Sequence, residues 1–247
     1  MFSIVIPTFN NFDYLKLCLN SIKKNSKYNH EIILHLNDGK DGSLNYAIKN
    51  NIKHSYSEIN IGLCSSINLA SDLTTNKYIL YSHDDMYFCP LWDKYLYDEV
   101  KKISHDNFYL SGTMIEPNSG HIIFNCGENV ENFNENKLLK NIDKLNFQDH
   151  QGSHFAPHLV SKRMWDEVGG FSEEFNPGIA SDPDFNMKLW KKGVRIFKGL
   201  NNFKVYHFGS VTTRKKKNLI QNRGDRTFLK KWGITIKFFK KYYLKSK

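Results

Sequence analysis

With 247 residues, 40% of them hydrophobic and 14% aromatic, the chain can bury a core as one large domain or as one domain with an appendage, so we do not expect a disordered protein. Its four cysteines show no Cys-x-x-Cys spacing, which argues against a cysteine zinc site and favours reduced thiols in the cytoplasm. No stretch approaches the about 20 apolar residues that span a bilayer, and no basic region precedes the first apolar stretch, so we expect neither membrane spanning nor secretion.

The net charge of +10 is concentrated in one segment of the sequence. Residues 214–247 contain thirteen Lys or Arg and one acid, Asp225, out of 35 basic and 25 acidic residues in the chain. The preceding residues are therefore nearly neutral. The local excess of positive charge is therefore informative about what the C-terminal segment binds, and not about how the chain folds.

The first third of the chain alternates between predicted strands and predicted helices. Each strand is a short apolar run, and each helix has apolar residues at helical spacing. The predicted strands are Phe2–Pro7, Glu31–Leu36, Ile52–Tyr56 and Tyr78–Ser82. The predicted helices begin after Asn10 or Asn11, at Ser43 and at Leu63. This alternation predicts a parallel sheet with right-handed crossovers.

The elements that follow Pro90 are less regular. We predict helices over Leu91–Ile103 and Ser161–Val168, a strand over Asn107–Ile115, and a helix that opens at Ser181. The stretch from Glu116 to Phe155 is rich in Asn, Gly and Glu and is too long for an ordinary connection, so it is interpreted as a lid or substrate loop. No repeat or low-complexity linker is visible, which indicates one domain and a tail.

Carboxylates follow two of the predicted buried strands. Asp38 comes after Glu31–Leu36, and Asp84 and Asp85 come after Tyr78–Ser82. Parallel strands place ligands just beyond their carboxyl ends, so we expect these carboxylates at the mouth of a crevice. Two neighbouring carboxylates repel each other unless a cation joins them. The alternatives are an ordinary Asp-Gly turn at Asp38 and an exposed turn at the Asp-Asp pair.

Five segments occur in an order and spacing that identify a family. They are Ser3-Ile-Val-Ile-Pro-Thr-Phe-Asn10, Asn37-Asp-Gly39, Asn60-Ile-Gly62, His83-Asp-Asp85 with Pro90 and Trp92, and Val168-Gly-Gly-Phe171 followed by Ser181-Asp-Pro-Asp184, Trp190 and Gly193. Over about residues 2–210 the chain resembles the inverting glycosyltransferases of the family-2 type, which have a GT-A fold.

The resemblance implies an α/β, Rossmann-like fold with a mostly parallel central sheet flanked by helices. It assigns residues 1–212 to the glycosyltransferase domain, with a nucleotide-binding half over 1–90 and an acceptor and catalytic half over 91–212. Residues 213–247 remain as a basic, amphipathic helical tail.

In the resembling family, an aspartate at the position of Asp38 hydrogen-bonds the nucleotide base. The residues that match Pro7, Thr8 and Asn10 line the same pocket. The resemblance therefore implies that these four residues bind the donor nucleotide.

The segment His83-Asp84-Asp85 is similar to the family's Asp-x-Asp motif, whose last carboxylate holds a divalent cation. Asp85 is thus the expected ligand of Mn²⁺ or Mg²⁺, which would neutralise the leaving diphosphate. Related enzymes often return a histidine to this site after the last core strand, which makes His207 a second expected ligand; a plain hydrogen-bonding histidine is the alternative. The first motif position departs from the family, so either His83 or Asp84 faces the ribose.

Inversion at the anomeric carbon needs a positioned base that takes the proton of the acceptor hydroxyl. The family supplies it from an acidic pair at the start of a helix, and here Ser181-Asp182-Pro183-Asp184 matches that position with Ser181 in place of a glutamate. The resemblance implies that Asp182 is the base and that Asp184 is structural. A pair of carboxylates that only caps its own helix is the alternative.

The predicted function is metal-dependent, inverting sugar transfer from a nucleotide sugar, most commonly UDP-linked in the resembling family, to a glycan or lipid-linked hydroxyl. The alternative is an inactive relative whose basic tail binds nucleic acid or membrane. Because a nucleic-acid reader shows basic and aromatic residues across its folded face, the nearly neutral folded part favours the enzyme without a nucleic-acid partner.

The tail has its own pattern. As a helix, Thr227–Leu244 would carry an aromatic face opposite a lysine face. The aromatic face comprises Phe228, Leu229, Trp232, Ile236, Phe239, Tyr242 and Tyr243. Such a helix suits an anionic membrane surface, which would place the enzyme in the cytoplasm, peripheral to the inner membrane face. The alternative is that the aromatic face packs on the catalytic domain or on a second subunit.

Overall fold

The computed structural model describes residues 1–209 and 223–246. The strands are β1 (Ser3–Phe9), β2 (Glu31–Asn37), β3 (Lys53–Ser57), β4 (Tyr78–Tyr81), β5 (Met86–Phe88), β6 (Phe108–Glu116), β7 (Ile122–Ile123), β8 (His150–Gln151), β9 (His158–Ser161) and β10 (Ile196–His207). The helices are α1 (Phe12–Asn25), α2 (Ser43–Lys49), α3 (Leu63–Ser71), α4 (Trp92–Lys102), α5 (Glu135–Asn141), α6 (Lys162–Val168), α7 (Ser181–Lys191), α8 (Gly224–Trp232) and α9 (Ile236–Phe238). A 3₁₀ turn covers Glu173–Phe175 and a π-helical turn covers Phe239–Leu244.

One sheet runs through the described chain in the order β3-β2-β1-β4-β9-β6-β10-β5, with β7 beside β6 and β8 beside β10. Strand β1 is parallel to β2 and β4, and β2 is parallel to β3. Strand β9 lies antiparallel between β4 and β6, and β5 lies antiparallel to β10. The predicted α/β fold, with a mostly parallel central sheet flanked by helices, is confirmed.

The central strands are apolar on both faces because helices cover both faces of the sheet. Ile4, Val5 and Ile6 of β1 are all fully buried. On α1, Leu15 and Cys18 are also fully buried, at helical spacing. The sheet therefore holds the carboxyl ends of its strands on a rigid, closely packed core.

The segment between β6 and β9 is more ordered than the predicted lid or substrate loop. It contains β7, α5 and β8, and its apolar residues form a second core cluster with β5 and β10. The buried members are Tyr14, Tyr87, Cys89, Ile115, Cys126, Leu138, Tyr206 and Phe208. Tyr206 also fixes the segment, because its hydroxyl accepts a hydrogen bond from Cys126 N at 2.9 Å and donates one to Gly127 O at 2.6 Å.

The tail packs on the domain, which is the alternative stated above for its aromatic face. Phe228, Phe239 and Leu244 are fully buried in the main core cluster. The expectation of one helix over Thr227–Leu244 is wrong, because α8 ends at Trp232 and Gly233 adopts a left-handed φ of +72°.

The structure also shows the state of the cysteines and the character of the helices, on which the sequence led to expectations. All four cysteines are buried and free. Within residues 1–209 and 223–246, no helix combines the length and the apolar character needed to cross a bilayer.

Adjacent phenylalanines in the tail provide a test of its packing. Phe239 is fully buried, whereas Phe238 is 44% exposed. We expect Phe239→Ala to lower the free energy of unfolding by about 3–5 kcal/mol, because it removes a buried ring and leaves a cavity. Phe238→Ala, the matched control, should change it by less than about 0.5 kcal/mol. Urea denaturation measures both, and equal effects would contradict this packing.

Candidate functional site

The site lies where β1, β2 and β4 end. These strands are neighbours and parallel, so their carboxyl ends meet at one edge of the sheet. The residues that follow them include Asn10, Asp38 and Asp84. Asn10 and Asp38 both have a positive φ, which turns the chain sharply away from the sheet. The sequence prediction of polar groups at this edge agrees with the structure.

The side chain of Asp38 points toward β1 across this edge. Asn10 Nδ2 donates a hydrogen bond to Asp38 Oδ2 at 2.9 Å, and Lys40 Nζ lies 2.9 Å from Asp38 Oδ1. Pro7 and Thr8 are buried in β1 beside this turn. The four residues predicted to bind the nucleotide are thus close in space, with Asp38 retaining a side-chain exposure of 20%.

Asp84 is buried and joined to the loop after β1. Its two carboxylate oxygens accept hydrogen bonds from Thr8 Oγ1 at 2.5 Å and from Asn11 Nδ2 at 3.1 Å. Burial and then the charge of Asp85 raise the pKa of Asp84 above its ordinary value, against the effect of these donors. Asp84 therefore ties β4 to the β1 loop.

The next carboxylate, Asp85, faces two histidines instead. Its Oδ1 atom lies 3.3 Å from His207 Nε2, at the end of β10, and 4.0 Å from His83 Nδ1. One potential ligand atom from each of the three residues falls within 4.8 Å of the others. The structure thus brings together the two predicted metal ligands and adds His83, which was predicted to bind the nucleotide.

Glu116, the last residue of β6, was missed in the sequence. His207 Nδ1 donates a hydrogen bond to Glu116 Oε1 at 2.6 Å, and both residues are buried. This bond directs His207 Nε2 toward Asp85, as carboxylates commonly do behind metal-binding histidines. The sequence does contain the signal that identified Asp38 and Asp84, because Glu116 is also a carboxylate that follows a predicted buried strand.

The electrostatics around His207 are dominated by these carboxylates. Burial alone would lower the pKa of His207, but Asp85 and Glu116 outweigh it and raise this pKa to about 10. His207 Nε2 is buried, and no group of the described chain is aligned with it as a hydrogen-bond partner. A buried nitrogen of this kind beside a carboxylate fits a divalent cation, which would take the place of the proton.

Asp182 opens α7 and is set apart from Asp184 by its surroundings. Its Oδ1 atom is buried with no hydrogen-bond partner in the described residues. Burial raises the pKa of Asp182 to about 7, partly offset by the charge of Lys240. The N-cap position of α7 is held by Ala180, so the alternative of a capping side chain does not describe Asp182.

Asp184 is fully buried, and its oxygens are occupied by ordinary contacts. It accepts hydrogen bonds from Trp232 Nε1 at 2.8 Å and from Ser172 Oγ at 2.6 Å, and Lys231 Nζ lies 3.0 Å away. Asp184 therefore anchors the tail and the Ser172 turn, while Asp182 keeps one carboxylate oxygen without a hydrogen-bond partner in the part of the chain that the structure describes.

Tyr81, the last residue of β4, is fully buried and packs against His83. Its ring is 5.4 Å from that of His83, and burial followed by the charges of Asp182 and Asp85 raises its pKa. The Tyr81 ring also lies 5.5 Å from that of Phe171, which stacks on Phe185 of α7 at 4.7 Å, so the end of β4 and the helix that carries Asp182 pack on one aromatic cluster.

This arrangement, an α/β sheet with polar and acidic groups at the carboxyl ends of its strands, defines a nucleotide-binding class of fold. The profile of glycosyl transferase family 2 matches residues 3–160, well over half of the chain. The chain belongs to this family and is a glycosyltransferase. The matched range includes Asp38, Asp85 and Glu116, whereas Asp182 and His207 lie beyond it. Comparison with curated proteins gives no match.

Solved structures share the fold at low sequence identity. Staphylococcus aureus TarS 1–349 in complex with UDP aligns with a TM-score of 0.62 and 16% identity, over 96% of this chain and 74% of that one. The complex of TarS 1–349 with UDP-GlcNAc aligns with a TM-score of 0.60 and 17% identity, again over 96% of this chain and 74% of that one. The structure of GalNAc-T7 with UDP, GalNAc and Mn²⁺ aligns with a TM-score of 0.64 and 16% identity, over 84% of this chain and 43% of that one.

Proposed function

We propose that the protein is a metal-dependent, inverting glycosyltransferase that moves a sugar from a UDP-linked donor to a hydroxyl of a glycan or lipid-linked acceptor. The observation that carries this proposal is the convergence of His83, Asp85 and His207 at the same sheet edge as the Asp38 pocket. A diphosphate leaving group between a base pocket and a cation is the arrangement that sugar transfer needs.

The donor nucleotide is proposed to lie along the ends of β1, β2 and β4. Asp38 would hydrogen-bond the base, with Pro7, Thr8 and Asn10 around it. Asp84 would face the ribose, because His83 is grouped with Asp85 and His207. The TarS and GalNAc-T7 structures named above contain UDP or UDP-GlcNAc, which supports UDP as the nucleotide.

Asp85 and His207 would hold the divalent cation, with His83 as a third ligand. The set of two imidazoles and one carboxylate favours Mn²⁺ over Mg²⁺, because Mg²⁺ prefers oxygen ligands and retains its waters. When bound, the cation would neutralise negative charge on the departing diphosphate. Glu116 would keep His207 oriented with Nε2 toward it.

Asp85→Asn tests the metal site. We expect it to abolish transfer and to remove the Mn²⁺-dependent increase in melting temperature that UDP gives the wild type, since a ligand stabilises the folded state that binds it. Without ligand the variant should still unfold cooperatively, at a lower melting temperature because His207 loses its charged partner. Thermal shift with UDP, with Mn²⁺ and with a chelator measures this. Full turnover in the variant, or in chelated wild type, would contradict the metal role.

Asp182 is proposed as the general base. Its Oδ1 atom, which has no hydrogen-bond partner among residues 1–209 and 223–246, would accept the proton of the acceptor hydroxyl. The hydroxyl oxygen would form the new bond to the anomeric carbon while the bond to the diphosphate breaks on the opposite face. The proton thus ends on Asp182, and the electron pair of the broken bond leaves with the diphosphate. A base with a pKa of about 7 suits this transfer near neutral pH.

Asp182→Asn tests the base. We expect a loss of at least about 10²-fold in kcat with UDP affinity unchanged, because the residue acts on the acceptor. Since only the ionised carboxylate accepts the proton, wild-type kcat/KM should fall as the pH drops below about 7. Asp184→Asn is the comparison variant. It should lower the free energy of unfolding more than it lowers kcat. A larger loss of kcat in folded Asp184→Asn would reverse the assignment.

Part of the tail remains available to a membrane. Leu229, Phe238 and Tyr242 are exposed, and the rings of Phe238 and Tyr242 lie 4.5 Å apart. Lys237 and Lys241 beside them are exposed as well. Aromatic rings flanked by lysines suit the interface of an anionic bilayer. We propose that this surface holds the enzyme on the cytoplasmic face of a membrane, near a lipid-linked acceptor.

Co-sedimentation with vesicles measures this attachment. We expect the protein to bind vesicles of phosphatidylcholine with phosphatidylglycerol, and to bind pure phosphatidylcholine much less, because each lysine near an anionic surface contributes about 1 kcal/mol. The double variant Phe238→Ala, Tyr242→Ala should fold and lose most of the binding. Equal sedimentation of variant and wild type would refute attachment through this surface.

A further inference from the structure

The first turn of α3 receives hydrogen-bond acceptors from a distant loop of the chain. The N-cap position of this helix is occupied by Gly62, which has no side chain to serve as a cap. Instead, Asn176 Oδ1 accepts a hydrogen bond from Cys64 N at 2.9 Å. Pro177 O accepts another from Leu63 N at 3.2 Å. The loop before α7 therefore caps α3.

The side chain of Asn176 fits closely against this turn. Its Nδ2 atom donates a hydrogen bond to Ser65 Oγ at 2.8 Å, so both polar atoms of the amide are bonded to α3. A Cβ at Gly62 would collide with the Asn176 side chain, and a Cβ at Gly178 would lie 2.9 Å from Leu63 Cδ2. Glycine at both positions lets the loop and the helix approach each other.

The same loop leads directly to Asp182. Ser181 N and Ser181 Oγ both donate hydrogen bonds to Gly178 O, at 3.1 Å and 2.7 Å. Between them, Ala180 has a left-handed φ of +67°. A tightly turned piece of chain thus connects Asn176 to Asp182. Any movement of this loop on α3 would therefore move the Asp182 carboxylate as well.

The first turn of α3 is fixed in its turn on the sheet edge that carries Asp38. Asn37, the last residue of β2, accepts a hydrogen bond at Oδ1 from Ile61 N at 3.0 Å. Its Nδ2 atom donates to Ser66 Oγ of α3 at 3.0 Å and to Thr8 O of β1 at 3.2 Å. Hydrogen bonds therefore run from the ends of β1 and β2, through α3, to the loop before α7.

We propose that Asn176 is a positioning residue, which sets the distance between the general base and the sheet edge that binds the donor. The inference rests on the base role proposed above for Asp182. A base must lie within hydrogen-bond reach of the hydroxyl that it deprotonates, and a misplacement of about 1 Å can lower the rate about 10²-fold. The hydrogen bonds of Asn176 would keep Asp182 within that tolerance.

The test replaces Asn176 with Ala and follows the release of UDP from UDP-GlcNAc with Mn²⁺, with water as the acceptor. We expect kcat to fall about tenfold or more while UDP affinity stays within about twofold of the wild type, because the donor edge keeps its own contacts. Asn176→Asp keeps an acceptor for Cys64 N at the positive end of the helix dipole and should restore most of kcat. The Cys64 amide hydrogen, followed by NMR, should exchange faster in Asn176→Ala than in the wild type or Asn176→Asp.

Asn68→Ala is the matched control. Asn68 Nδ2 donates to Phe171 O and Asn68 Oδ1 accepts from Phe171 N, both at 2.8 Å, so this asparagine also joins α3 to the segment before α7, farther from Asp182. Its removal should lower the melting temperature at least as much as Asn176→Ala and lower kcat much less. Equal losses of kcat in the two alanine variants, or wild-type kcat in Asn176→Ala, would overturn the inference.

A longer side chain tests the distance itself. Asn176→Gln keeps the amide but adds one methylene against Gly62, so it should displace the loop and lower kcat even where the alanine variant does not fold. Wild-type kcat in Asn176→Gln would also overturn the inference. Faster exchange at Cys64 in Asn176→Ala, together with full kcat in Asp182→Asn, would overturn the proposed base and uphold the attachment of the loop by Asn176.

Discussion

Two adjacent carboxylates are buried at the end of β4, and the structure depends on how each is accommodated. Burial and mutual repulsion both disfavour their charges, so each needs partners. Asp84 finds hydrogen-bond donors in Thr8 and Asn11, close to the start of the chain. Asp85 finds His207, at the end of the last sheet strand, with Glu116 behind it. One dipeptide thereby joins the two halves of the sheet.

Much of the site could be predicted because its signals are local. A buried strand followed by a carboxylate is visible in a few residues, and parallel strands bring such ends together. Asp38, Asp84 and Asp85 were found in this way. Glu116 gave the same signal, but the irregular sequence after it led to its interpretation as the start of a loop. The order in that segment depends on contacts with Tyr206, which a local pattern does not reveal.

The roles of Asp182 and Asp184 could not be separated on physical grounds from the sequence. Both residues stand in the first turn of one helix, and either is compatible with capping or with chemistry. The difference comes from Trp232 and Lys231, which occupy Asp184 from a distant part of the chain. Helical periodicity placed Phe228 and Phe239 correctly on an apolar face. It did not predict the π-helical turn over Phe239–Leu244, and it placed Leu229 and Tyr242 on the apolar face although both are exposed.

The burial of Phe228, Phe239 and Leu244 in the main core has a consequence for biosynthesis. Translation runs from the N-terminus, so the sheet emerges from the ribosome before the side chains that complete its packing, and domains generally begin to fold in that order. The sheet edge that carries Asn10 and Asp38 is built from residues near the start and can assemble early. The surroundings of Asp182 form only when residues 224–246 have been synthesised and have docked. A nascent chain would therefore complete the sheet edge around Asp38 before the surroundings of Asp182.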